Sequence, residues 1–333
     1  MIVREPPYSL LVGALSALVA AAFAASVAVG YAPLDLGAAF SDAIAGKTSL
    51  GALVLMELRL PRAIMGALVG FSLGLAGAAM QGLLRNPLAD AGVIGVSGAA
   101  AFGAVLAFYS GLSAAVSLAL PLGGILGAGL AVAALYALAG RGSATMTLIL
   151  AGVAINSLAG ALTSLALNLS PNPYAAMEVT FWLMGSLADR SMDNVILILP
   201  LLLVGWALIL LCGPALDALT LGDDVATSLG FDMGRVRLML ISGTALAVGA
   251  SVATTGAVGF VGLVIPHLLR PLVGGRPGRL LLVSGLGGAA LVLGADVGLR
   301  AIGVRPELKL GVVTALIGAP FFLSLLWRLR REA

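Results

Sequence analysis

Residues 62–83 read RAIMGALVGFSLGLAGAAMQGL, and after Arg62 the run contains no further charged residue. A helix rises about 1.5 Å per residue, so a run of this length covers the ~30 Å hydrocarbon core of a bilayer. Glycine recurs at 66, 70, 74 and 77. That spacing lays the four on one helical face, where a neighbouring backbone can approach closely. The stretch predicts a membrane-spanning helix with a second helix packed on its glycine face.

The rest of the chain agrees. Of 333 residues, 60% are hydrophobic and 10% charged, with mean hydropathy +1.12, too little charge to clothe a water-soluble core. Ten apolar segments are expected, at roughly 8–30, 62–83, 91–109, 113–139, 145–168, 194–213, 237–255, 259–270, 279–299 and 310–328. The N-terminal run is longer than the apolar stretch of a signal peptide and reads as an uncleaved first span. Alternation from a cytoplasmic N-terminus places eleven basic residues inside, among them Arg85, Arg237, Arg270 and Arg279. Seven fall outside: Lys47, Arg59, Arg62, Arg190, Arg300, Arg305 and Lys309. The excess lies on the cytoplasmic side, as the positive-inside rule requires, with both termini cytoplasmic.

Two connections are too long and polar to be turns. Residues 31–61 predict a surface helix outside. Residues 214–236 predict two short helices divided at Gly230, with Asp223 and Asp224 in a first turn where carboxylates favour the positive end of the helix dipole. A charged helical loop of this kind is either a docking surface for a soluble partner or a solvated connector.

Several chemistries are excluded. No GxxxxGK[ST] is present to cradle nucleotide phosphates, and no HExxH or Cys/His cluster to hold a catalytic metal. Cys212 is the sole cysteine, and a net charge of +3 does not suggest nucleic acid. Acidic residues within spans are confined to Asp90 and Asp296 near the ends, which disfavours ion-coupled secondary transport. Gly95-Val96-Ser97-Gly98 matches the GxSG of intramembrane serine proteases, with His267, the only histidine, as the one candidate base. The pattern is weak in a chain with 45 glycines.

Taken together, ELRLPRAIMGALVGFSLGLAGAAMQGLLRNPLADAGVIGVSGAA (57–100), LILAGVAIN (148–156), WLMGSL (182–187), LGDDVATSLG (221–230), GFVGLVIPHLLR (259–270) and PELKLGVVTALIGAPFFLSLL (306–326) resemble the permeases of ABC importers for ferric siderophores, haem and cobalamin. The resemblance implies an all-α polytopic type II importer permease forming one domain over 1–333, in the bacterial inner membrane. It implies a homodimer with two ABC ATPase subunits, which carry the ATP and magnesium, and a periplasmic binding protein that delivers cargo; no cofactor or metal is expected on this chain. The expected cargo is an iron chelate, haem or a ferric siderophore, with cobalamin or a secondary-transported metabolite as alternatives.

Residue roles follow from the same resemblance. Arg59, Arg62 and Arg300 match positions that pair with acidic residues of the binding protein, the alternative being arginines that snorkel at span ends. Leu221, Gly222, Asp223, Asp224, Ser228, Leu229 and Gly230 form the expected ATPase-docking loop. Asn86, Pro87, Leu88, Ser143 and Thr145 correspond to the cytoplasmic gate. Asn156 and Asn168 could line the pathway, although Asn156 is equally suited to an interhelical hydrogen bond. Pro266, His267 and Arg270 read as structural, the prolines ending a short helix and the histidine acting as a hydrogen-bond donor.

Overall fold

Ten apolar helices stand where ten spans were expected: α1 (Tyr8–Ala28), α2 (Leu60–Leu83), α3 (Val96–Tyr109), α4 (Ala119–Ala139), α5 (Thr145–Asn168), α6 (Met192–Leu211), α7 (Met233–Thr255), α8 (Val261–Leu269), α9 (Pro277–Ile302) and α10 (Leu310–Glu332). The structure is a computed structural model, and it describes residues 6–31, 33–116, 118–139, 145–170, 172–304 and 306–332. Among the described residues there is no strand. Among the described residues seven helices are long and apolar enough to cross a membrane; the apolar parts of α3, α8 and α10 are shorter.

The glycine face of α2 works as the sequence predicts. Gly70 and Gly74 lie against the α9 backbone at Gly288 and Ser284, so close that a Cβ at Gly74 would overlap the Ser284 carbonyl. One turn on, Gly77 meets Gly262 of α8 in the same way. A second such contact joins α3 to α4 through Gly103, Gly123 and Gly127. Helix α7 links the two halves, with Ala253 and Gly249 against Gly124 and Ala128 of α4, and Gly243 against Gly205 of α6. Apolar burial drives little helix association when the alternative solvent is lipid, so close van der Waals packing of this kind must supply it. Side-chain bonds add to it: the Trp206 indole N–H of α6 donates to Ser72 Oγ of α2 at 2.9 Å.

The result is a buried centre of α2, α7 and α9, with α4, α5 and α6 outside it. The outer helices expose Leu126, Leu130, Leu150, Leu158, Leu203 and Leu211, a surface suited to lipid or to a second apolar chain.

The connections depart from expectation in two details. The segment before α2 forms a helix at Leu36–Ile44, capped by Asp35, and then a helical lead-in, Leu50–Leu53 and a π-turn Val54–Arg59, that runs directly into α2. Residues 214–236 do form two short helices, Gly213–Leu219 and Asp223–Ser228. Their division is at Gly222, however, not at Gly230. Gly222 takes φ +107, which a Cβ would resist, and so turns the chain between them, while Gly230 (φ +91) closes the second helix.

Candidate transport site: arginine rim, gate loop and docking helices

At one end of the bundle, Arg59, Arg62 and Arg300 come together from the start of α2 and the end of α9. The last carbonyls of α1 have no helical donor and carry the negative end of its dipole. Arg59 Nη1 donates to Val27 O at 3.0 Å and Ala28 O at 2.7 Å. Arg300 Nη1 donates to Ser26 O at 2.8 Å and to Val29 O, and its Nη2 reaches Ser26 Oγ at 2.8 Å. Two guanidinium groups thus cap α1.

Arg62 is held by carboxylates instead. Its Nε and Nη2 grip Asp296 at 3.0 and 2.7 Å, and Nη1 and Nη2 reach Glu307. Asp296 also pairs with Arg300 one turn along α9, at 2.7 Å. Asp296 is 1% exposed, so its charge is balanced by two cations rather than by water. In this conformation the three arginines expected to meet a partner's acids are engaged within the chain. Ser26, Asp296 and Glu307 hold or receive them; Ser26 and Glu307 were not singled out from sequence, and Asp296 was noted only as an acid near a span end.

Beside this cluster opens a cavity of about 710 Å³, walled by Leu58, Phe181, Met184, Leu308 and Val312. It also takes in Arg59, Arg62, Arg190, Arg300 and Lys309. Arg305 lies outside the described residues. Two of the motifs, 182–187 and 306–326, meet here with the turn that ends α7: Ser186 N donates to Thr255 O at 2.7 Å, Ala257 N to Leu183 O at 3.3 Å, and Gly311 N to Gly185 O at 3.4 Å.

The short helix α8 carries Pro266, whose missing N–H would otherwise bond the carbonyl of Gly262 four residues back. Gln81 of α2 repairs the gap. Its Nε2 donates to Gly262 O at 3.3 Å and to Leu263 O at 3.4 Å, while its Oε1 accepts from Arg270 Nη2 at 2.6 Å. Gln81 is 1% exposed and was not singled out from sequence. Among the described residues His267 donates no hydrogen bond, unlike the donor expected of it. Its ring meets Phe321 of α10 edge to face at 5.6 Å, and its Nδ1 has no hydrogen-bond partner. No hydrogen bond joins it to Ser97, so the two do not form a dyad here.

At the same end as α8's C-terminus sit the residues expected to form the gate and the docking loop. Asn86 Oδ1 accepts from Leu88 N at 2.9 Å, a side-chain turn that shapes the Asn86-Pro87-Leu88 loop after Arg85 (φ +48). Burial pushes the nearby Asp90 carboxyl above its ordinary range, opposed by the amides of Ala91 and Gly92. Of the remaining gate residues, Ser143 lies outside the described residues, and Thr145 opens α5 with its side chain not described.

In the docking loop Asp223 turns inward, bonding Arg237 at 2.6 Å and standing 3.8 Å from Arg85 of the gate loop. Asp217 holds the loop to α9 by accepting from Gly278 N at 2.8 Å. What the loop presents outward is apolar with one acid: Leu221 (67% exposed), Val225, Asp224 and Leu229 (61%), with Ser228 and Gly230 alongside. An exposed cluster of large apolar side chains on a polar loop marks a contact surface.

With bundle, rim and loop in place, comparison with known proteins decides the family. The model of the FecCD transport family matches residues 18–328. The chain belongs to the FecCD transport family. Among curated relatives, the cobalamin import permease BtuC of Halobacterium salinarum is 41% identical over 81% of this chain and 72% of its own length. The ferric enterobactin permease FepD of Escherichia coli is 40% identical over 84% and 83%. The hemin permease HmuU of Yersinia pestis is 36% identical over 83% and 84%. A solved ABC transporter assigned to the metal-chelate type, in an inward-facing conformation, matches with TM-score 0.85 and 30% identity over 96% of this chain and 99% of that one. The fold is that of an ABC transporter permease, and the chain is a multi-span permease of an ABC importer.

On this FecCD permease, α5 keeps a small and polar exposed stripe, Asn156, Gly160, Ser164 and Asn168. Asn156 leans over Gly98 of α3, where a Cβ would come within 2.5 Å of its Oδ1. Both asparagines lie on the exposed face of the helix, away from the α2, α7 and α9 centre.

Proposed function

We propose that the chain imports an iron chelate, haem or a ferric siderophore, as a homodimer in the bacterial inner membrane. Two separate ABC ATPases and a periplasmic binding protein complete the machine, with both termini and the loop 214–236 in the cytoplasm. The observation that carries this reading is the docking loop: two short helices, tied to α7 and α9 by Asp223 and Asp217, hold Leu221, Val225 and Leu229 out of the bundle. A family of importer permeases without a P-loop of their own needs such a surface for the subunit that binds nucleotide.

In the mechanism, the binding protein settles on the rim and releases cargo into the 710 Å³ cavity beside the arginines. The exposed stripe of α5, with Asn156 and Asn168, faces the pathway between two copies. A weakly polar lining without a cluster of strong ligands lets a bulky chelate pass without being trapped. Closure of the ATPases moves the docking helices, and the Asp223–Arg85 contact carries that movement to the Asn86–Leu88 loop. The rim arginines then exchange their internal carbonyls and carboxylates for acids of the binding protein, which sets register and on-rate more than affinity.

Cobalamin is the second reading. A relative named for cobalamin import stands at 41% identity, level with the ferric enterobactin relative at 40%. The test is purification of the tagged chain from its host in mild detergent, followed by mass spectrometry and uptake with labelled haem, ferric siderophore and cobalamin. An equimolar soluble ATPase, and uptake of an iron compound dependent on it, is the expected result. Recovery of the chain alone in every detergent would refute the importer reading, and uptake of cobalamin only would move the cargo to the second.

A further inference from the structure

Five basic side chains line the rim cavity against two acidic ones, Asp189 and Glu307. Arg59, Arg62 and Arg300 are engaged with α1 carbonyls and with Asp296 and Glu307. Arg190 and Lys309 are different. Arg190 makes no hydrogen bond or ion pair among the described residues, and its Nε is buried with no partner. Lys309 has no carboxylate within ion-pair distance among the described residues, and its Nζ rests 5.8 Å from the centre of the Phe181 ring. Both border the 710 Å³ cavity and an adjoining one of about 440 Å³, so they stand where the two meet.

A half-buried guanidinium left without an acceptor is costly, and the cost is recovered when an anion arrives. Burial lowers the tendency of Arg190 to hold its charge, and Asp189 beside it only partly offsets that. The apolar wall of Leu58, Phe181 and Val312 suits the body of a chelate, and 710 Å³ falls in the size range of small-molecule sites. We propose that Arg190 and Lys309 form an anion subsite that takes the carboxylate groups of a metal chelate held in the rim cavity. This rests on the importer reading, and it adds a charge preference to it. Arg190 supplies directed N–H donors and Lys309 a mobile point charge, the combination that orients a carboxylate without locking it. The subsite is weak, as a relay between binding protein and pathway requires.

The test uses the full chain in lipid nanodiscs, titrated at low salt with ferric dicitrate and with an uncharged ferric trihydroxamate. Tryptophan fluorescence is the readout, because Trp182 borders the adjoining cavity. Ferric dicitrate is expected to bind about tenfold more tightly than the uncharged chelate, and R190Q/K309Q to abolish that difference. R279Q, at the opposite end of α9, is expected to keep it. Absence of saturable ferric dicitrate binding, an equal affinity for both chelates, or a preference that survives in R190Q/K309Q would each overturn the subsite. Loss of binding to an acidic peptide with ferric dicitrate binding intact would assign the pair to protein docking and also overturn it. The importer reading is judged separately by ATPase co-purification, which the double variant is expected to retain.

Discussion

Gln81 gives one side chain three tasks: it fills the hydrogen-bond gap left by Pro266, bonds the next carbonyl, and holds Arg270. Gln81→Leu strands Gly262 O and a half-buried guanidinium together, at a cost of about 1–3 kcal/mol. Pro266→Ala restores a backbone donor to Gly262 O, so the cost of Gln81→Leu should fall in that background. A double-mutant cycle on thermal stability in detergent measures the coupling, and strictly additive effects would contradict it. A larger loss is expected at the rim. Asp296→Ala leaves Arg62 and Arg300 without their shared anion and should cost about 3–5 kcal/mol, read as a drop in melting temperature, whereas Lys47→Ala, an exposed pair partner, should change little. The arginines were visible in the sequence as fixed cations near span ends, but their partners were not. Asp296 and Glu307 lie 234 and 245 residues from Arg62 along the chain, and no local pattern connects positions so distant. Gln81 was hidden for a similar reason: a lone amide within an apolar helix carries no signal until the proline it serves is placed beside it.

Helices were legible where periodicity and length both spoke. Each of the ten expected apolar segments holds a helix whose ends lie within six residues of the expected bounds, seven of them long enough to span, and the glycine spacing of α2 identified its packed face before any partner was known. The partner itself, α9, had no counterpart in that spacing. Which helix fills a glycine groove depends on the connections between helices and on a match of small residues, here Ser284 and Gly288, that each helix carries separately. A prediction belongs at this level. Gly74→Ala places a methyl group on the Ser284 carbonyl and must push α2 from α9, at about 1–3 kcal/mol. Gly13 on α1 has nothing within 4 Å, so Gly13→Ala should be neutral or stabilise by a few tenths of a kcal/mol through the helix backbone. Equal losses for both would mean that glycine content, and not the α2–α9 contact, determines stability. The division of the docking loop was misplaced by eight residues because both glycines fit a helix break by composition. The backbone resolves it: Gly222 turns the chain between helices, and Gly230 only ends the second one.

For the molecule as a whole, an ion pair between Asp223 and Arg85 joins the proposed docking loop to the proposed gate loop, and it offers a way to separate association from transmission. Leu229 is outward and apolar, without a role in the chain's own packing, whereas Asp223 is a member of an internal pair with Arg237 and a longer contact with Arg85. Reversing Asp223 to lysine would therefore set three cations together and damage the loop before it tested any partner. Leu229→Arg is the cleaner probe: it should abolish recovery of the ATPase while leaving the melting temperature of the isolated chain within about 0.5 kcal/mol equivalent of wild type. Arg85→Gln should do the opposite. The Arg85–Asp223 pair is half exposed at 3.8 Å and contributes little stability, on the order of 0–1 kcal/mol, so the chain should fold and retain its ATPase. If the pair carries movement from the docking helices to the Asn86–Leu88 loop, ATP hydrolysis in proteoliposomes should continue while cargo uptake per ATP falls severalfold. Uptake per ATP unchanged in Arg85→Gln would place the transmission elsewhere, in the covalent run of the docking helices into α7 or in their side-chain ties to α7 and α9 through Asp223 and Asp217.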